Sequence, residues 1–244
     1  MIAALINCLG VLAGSLVGLG TGRFLPESAR KAVFTGAGFM SLAVGILMTI
    51  KTQRILHLAL ALVAGGLIGQ LLRIEDRIDG LGHALHRIVE PGNKKDQATT
   101  AAASAKFARG FLEASVLFCV GSMAILGSIN AGTTGDMSLI LTKTVMDSFM
   151  ALFLAASLGV GVAFSSLSIL VYQGAITLAA TAVAPYLTPL VIASISGTGG
   201  VLVMMIGFNL VGLTKVPTGN FLVSLVIAVG LAYADPFLPS ILRS

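Results

Sequence analysis

The stretch Leu190-Val-Ile-Ala-Ser-Ile-Ser-Gly-Thr-Gly-Gly-Val-Leu-Val-Met-Met-Ile-Gly-Phe-Asn-Leu-Val-Gly-Leu213 contains no charged side chain. As an α-helix rising ~1.5 Å per residue, it is long enough to cross the ~30 Å hydrocarbon core of a bilayer. Beyond Arg109 the only charged residues are Glu113, Asp136, Lys143, Asp147, Lys215, Asp235 and Arg243. The polar outer faces that a large soluble core requires are missing. Over the whole chain 56% of residues are hydrophobic and 10% are charged, against roughly 25% charged in an ordinary soluble domain. The fold class is therefore all-α: one polytopic transmembrane helical bundle over residues 1–244, with the lipid bilayer as its solvent.

Hydrophobic runs place spans at Ile2–Gly22, Val33–Ile50, Ile55–Leu72, Phe111–Ile129, Leu139–Phe164, Leu167–Leu187, Leu190–Leu213 and Phe221–Ala234. That makes about eight, with the last one short and seven the alternative. The first run has no basic residue before it, and Arg23 follows it; it reads as a retained span and not a cleaved leader. Cys8 and Cys119 sit inside spans without any metal-ligand spacing, so neither a disulfide, a metal nor another cofactor is expected. The net charge of +5 comes from basic residues flanking apolar spans, without interleaved aromatics. This pattern suits orientation in a membrane and not nucleic-acid binding.

Lys and Arg concentrate after span one (Arg23, Arg30, Lys31) and in residues 73–109, from Arg73 to Arg109. The loop between spans two and three holds Lys51 and Arg54, and the loop after span four holds none. The positive-inside rule then puts both termini in the periplasm of a bacterial inner membrane and the 73–109 loop in the cytoplasm. That loop opens with an amphipathic pattern: Ile74, Ile78, Leu81, Leu85 and Ile88 on one side, Asp76, Asp79, His83, His86 and Glu90 on the other, ended by Pro91-Gly92. The acidic and His face has ligand-type residues a turn apart, but a solvated face is the default reading. A polar linker follows from Asn93.

Two blocks of the chain share a spacing. Gly38, Gly45, Lys51 and Gly66 are matched by Gly200, Gly207, Lys215 and Gly230, each block preceded by a proline, Pro26 or Pro189. Spans 1–3 and 6–8 would be an inverted repeat, the arrangement of many secondary transporters. The matched segments carry small and hydroxyl residues: Thr35, Gly36 and Gly38 in one, Ser196, Gly197, Thr198, Gly199 and Gly200 in the other. Glycine lets a helix open, and freed backbone groups need partners that lipid cannot supply. Two interrupted helices facing each other would hold an ion or a small polar solute; the alternative is close helix packing through small residues.

Span one carries Gly10, Gly14, Gly18 and Gly22 in steps of four. This is a close-packing face, for a partner in the same chain or in a homo-oligomer. Lys143 and Asp147 share a helix face one turn apart. With Gln173 and Asn209, and with Asn7 and Tyr172, they are the polar residues inside spans, where ionisable groups are costly and point to function. Glu113 lies within a turn of its predicted boundary and is expected to reach the headgroups.

The stretch from Phe107 to Ser128, with its block Phe118-Cys-Val-Gly-Ser-Met-Ala-Ile-Leu-Gly127, is followed by Leu141-Thr-Lys-Thr-Val-Met-Asp147 and Tyr172-Gln-Gly-Ala-Ile-Thr177. These segments resemble the YqgA/YdfK-type family of bacterial membrane proteins, over nearly the whole chain. The resemblance implies an inner-membrane location and draws attention to Lys143, Asp147 and Gln173; it implies no substrate. Three functions compete: a transporter or channel for an ion or small polar solute, a structural or regulatory membrane component, and a membrane enzyme. The last is disfavoured, because no His-Glu-x-x-His pair or nucleophile motif is present and His57, His83 and His86 fall near or outside the predicted boundaries.

Overall fold

In the computed structural model, residues 1–22, 26–78, 80 and 97–237 are described. They form α1 (Ile2–Gly22), α2 (Glu27–Thr49), α3 (Ile55–Leu71), α4 (Gln97–Cys119), α5 (Ser122–Thr133), α6 (Ser138–Leu158), α7 (Gly161–Leu178), α8 (Pro189–Val211) and α9 (Val223–Ala234), with no strand among them. Short 3-10 turns flank α9, at Thr218–Leu222 and Asp235–Phe237. Six segments are long and apolar enough to cross a bilayer, and α4 with α5 make a seventh if that bent pair is one span. The apolar helix α3, at 17 residues, is the short one. Residues 74–78 are helical; the remainder of the predicted amphipathic helix, with His83, His86 and Glu90, lies outside the described residues.

Three predicted spans differ from the helices; one of them, Leu167–Leu187, is a helix that begins earlier, at Gly161, and stops at Leu178. The predicted span Phe111–Ile129 is not straight: α4 stops at Cys119, α5 starts at Ser122, and the two axes meet at 61°. The predicted span Leu139–Phe164 ends early, at Leu158, because Gly159 takes φ 86° and turns the chain, a conformation that favours glycine. The pair Ser165-Ser166 looks like a polar break in sequence but sits inside α7. Each hydroxyl donates to its own helix, to the carbonyls of Val162 and Ala163, at 2.6 and 2.7 Å. A serine satisfied in this way costs a membrane helix little.

Glycines determine which helices touch. A Cβ on Gly14 would run into the Ser148 carbonyl and one on Gly18 into that of Leu152, while Gly10 lies against Thr144 and Gly22 against Ala156. The constant offset means that α1 and α6 run parallel in backbone contact. The glycine face of span one is thus occupied within the chain, so any homo-oligomer must use another surface. Between α2 and α8 the order is reversed, with Gly38 on Gly207 and Gly45 on Gly200; these helices are antiparallel. α3 and α9 pair in the same antiparallel sense, Gly65 against Ser224 and Gly69 against Asn220. The Arg54–Asp235 ion pair, at 3.0 Å, closes one end of that pair.

Most of the largest fully buried side chains, among them Phe118, Leu154, Ile169, Leu202 and Ile206, come from α4, α6, α7 and α8. Large apolar side chains on α1, α2 and α3 remain exposed, Leu9, Leu16, Leu47 and Leu67 among them. In water such a surface would be a liability, and in a bilayer it is the lipid contact.

Candidate functional site

Four polar side chains from three helices meet inside the bundle. Lys143 and Asp147 of α6 form an ion pair at 2.8 Å. Asn7 of α1 donates from Nδ2 to Asp147 Oδ2 at 3.3 Å and to Gln173 Oε1 of α7 at 3.1 Å. All four are buried. Helical side chains lean toward the N-terminus of their helix, so the Asp147 carboxylate is carried toward Lys143. The parallel glycine contact between α1 and α6 brings Asn7 within reach.

The cluster is incompletely satisfied. Asn7 Oδ1 and Gln173 Nε2 are buried without a hydrogen-bond partner, and an orphaned buried polar atom costs about 1–3 kcal/mol. Lys143 and Asp147 also form part of the wall of a groove of 860 Å³ between α2 and α6. Most of that wall is apolar, with Met40, Val44, Met48, Met146, Met150 and Phe153, and Lys51 also lines it. Gly121 and Ser122, at the break between α4 and α5, line it too. The first N–H groups of a helix lack intrahelical acceptors, and the helix dipole makes that end positive. No side chain caps the start of α5 at Gly121. A buried ion pair, a discontinuous helix and a cavity therefore coincide, which suits binding of a small charged or polar species inside the membrane.

The interrupted helices expected at Ser196–Gly200 and Thr35–Gly38 are not found; both segments lie within continuous helices, α8 and α2. Apart from Gly36, which lines the groove, their glycines serve close packing. Gly197 faces Thr52, Gly199 faces Val120 beside the α4–α5 break, and Gly200 faces Gly45. Thr35 bonds only to its own helix, at Lys31, and Gly36 has open space around its Cα. The two segments are not opposite each other, since Gly38 meets Gly207. Ser196 and Thr198 hydroxyls are nevertheless buried without partners, as is that of Thr52. The break that sequence reasoning placed in α8 is in α4–α5, against the same glycine-rich segment. A bulky chain can pass close to α8 only where α8 lacks side chains.

Asn209 lies apart from the cluster. Its amide donates to the Val216 carbonyl at 2.9 Å and accepts from the Val216 N–H at 2.7 Å, pinning the turn after α8. Glu113 does not reach outward as expected but is turned into the protein: it is 2% exposed and paired with Arg109 at 2.8 Å. Hydropathy locates a residue along the membrane normal but not which way its helix turns it. The Arg109–Glu113 spacing of four was the available signal. His57, placed near a boundary in sequence, is likewise buried in α3, with Nε2 3.7 Å from Asp235.

A family model described as a protein of unknown function, DUF554, matches residues 2–233. The chain belongs to this family. Among DUF554 relatives, the uncharacterized protein YqgA of Escherichia coli (strain K12) is 31% identical over 96% of this chain and 97% of its own length. The uncharacterized membrane protein YdfK of Bacillus subtilis (strain 168) is 28% identical over 93% of each. No solved structure matches the chain. The apolar helices, together with a relative named as a membrane protein, agree on a multi-pass membrane protein.

Proposed function

We propose that this protein moves an ion or a small polar solute across a bacterial inner membrane, and that Lys143 and Asp147 bind it or its coupling ion. The observation that carries the reading is the buried ion pair in the wall of the 860 Å³ groove, next to the broken span. Ionisable groups inside a membrane are expensive, and a pair that only fastened helices would not need a cavity beside it. Reciprocal contacts support an inverted repeat: Gly38 meets Gly207 and Gly45 meets Gly200. A two-fold axis exchanging the two blocks would produce this crossing of equivalent glycines. In this reading the Lys143 end faces the periplasm and residues 73–109 the cytoplasm, and the protein is not an enzyme.

The second reading, a structural or regulatory membrane component, draws on the mostly apolar lining of the same groove, which would also suit a partner helix. Purified protein in proteoliposomes, presented with panels of alkali cations, halides, amino acids and organic acids over imposed proton gradients, separates the two. Transport by the parent chain that is lost in a normally folded Asp147→Asn variant is the expected result. No solute movement in any panel, or full activity in Asp147→Asn, would overturn the assignment.

A further inference from the structure

A second, smaller pocket of 290 Å³ opens at the opposite end of the bundle from Lys143. Arg109, Leu112 and Glu113 of α4 line it, with Glu75, Lys215 and Thr218. It is far larger than the ~15 Å³ that one water requires. Glu113 forms a buried part of its wall, 2% exposed. One carboxylate oxygen, Oε1, accepts from Arg109 Nε at 2.8 Å; the other, Oε2, is buried with no partner. The Arg109 side chain is 45% exposed, so the pair reaches from solvent into the protein. An orphaned carboxylate oxygen there needs a donor, and lipid has none.

We infer that Glu113 is a proton-binding site loaded from the Arg109 end of the bundle. Oε2 takes a proton carried into the pocket as hydronium: one hydronium O–H bond breaks, the carboxyl O–H forms, and the neutral water left behind accepts a hydrogen bond from it. Among the described residues, the charged groups facing Glu113 are Arg109 of its own helix, Glu75 and Lys215; Lys106, two turns away on α4, extends toward Gly159. α5, α7 and α8 contain no charged residue. Lys143 and Asp147 of α6 begin about 16 Å along that helix from Leu158, which packs at Gly110. Once Glu113 is neutral, Arg109 is left with Glu75 as the nearest carboxylate of the pocket. Glu75 accepts from the Gly219 N–H at 2.6 Å, in the turn that leads into α9, so a proton at Glu113 acts on a clamp between two segments.

The two pairs have the same form. Arg109–Glu113 and Lys143–Asp147 each place a base four residues before an acid, near the start of an apolar run, at opposite ends of the bundle. That order opposes the helix dipole and is the weaker one for helix stability, so stability alone does not account for it. If the transport reading holds, on which this step rests, Glu113 is the proton station on the cytoplasmic side.

The test reads protonation and not transport, so either idea can fail alone. The full chain in lipid nanodiscs is titrated from about pH 8 to about pH 5 while infrared difference spectra follow the C=O stretch of protonated carboxyls. A titrating band kept in Asp147→Asn and Glu75→Gln and lost in Glu113→Gln is expected. Should Glu113→Gln not fold, ¹³C-glutamate labelling of the parent assigns the band: it must shift, and must survive in each of Glu27→Gln, Glu75→Gln and Glu90→Gln, the other three glutamates. A band that persists in Glu113→Gln, one that ignores the glutamate label, or no titrating band at all overturns the inference.

Discussion

Gly45 of α2 and Gly200 of α8 face each other so closely that a Cβ on Gly45 would lie 2.7 Å from the Gly200 carbonyl oxygen, and one on Gly200 2.6 Å from that of Gly45. Backbone-to-backbone approach of this kind substitutes for side-chain interdigitation in membranes, where lipid tails are as apolar as leucine. Gly45→Leu and Gly200→Leu should each destabilise the fold by about 1–3 kcal/mol or more, read as a lower unfolding temperature in detergent. Gly36→Ala is the internal control, because nothing lies within 4 Å of the place its new methyl group would take; it should be neutral or slightly stabilising. Equal stability of all three variants would mean that α2 and α8 are not in contact.

The glycine face of α1 has a more specific consequence, since it also delivers Asn7 to Asp147. Gly14→Leu or Gly18→Leu should push α1 away from Ser148 and Leu152 and break the 3.3 Å Asn7–Asp147 bond along with the packing. Gly20→Leu, on a side with open space, should not. Cysteines introduced at Thr144 and Gly10, cross-linked in the parent and no longer in Gly18→Leu, would report the separation directly.

Charge balance in the cluster predicts an order of severity. Lys143→Met leaves Asp147 buried without its cation and should cost about 3–5 kcal/mol, unless Asp147 takes up a proton. Asp147→Asn leaves the Lys143 ammonium as the unpaired charge, but keeps the shape and an amide oxygen that can accept from it, and should cost less. The double change Lys143→Met with Asp147→Leu should recover most of the loss. A double variant that is less stable than Lys143→Met alone would show that the pair is a net structural asset.

Orientation is open to a direct measurement. With Cys8 and Cys119, the only cysteines, replaced by alanine, single cysteines at the exposed positions Gln53, Asp136 and Thr214 can be labelled with a membrane-impermeant thiol reagent in whole cells. Gln53→Cys and Asp136→Cys should react from outside, and Thr214→Cys only after permeabilisation. The reverse pattern would invert the assignment of both ends, and a split between positions 53 and 136 would break the span count.

By itself the amino-acid sequence determined that this is an all-α membrane protein, where most of its spans lie, and which ionisable residues they contain. Those properties follow from local terms: hydropathy over about 20 residues, and the cost of charge in lipid. The i, i+4 spacing of Lys143 and Asp147 and the four-step glycines of span one were legible for the same reason. Tertiary structure decided the rest. Whether glycines open a helix or let another helix approach depends on the neighbour, so Ser196–Gly200 remains helical while the break falls at Val120–Gly121, beside Gly199. The joining of Asn7, Asp147 and Gln173, and the burial of Glu113 beside a pocket, depend on helix rotation about its own axis. Hydropathy averages over that rotation, and only packing between helices sets it.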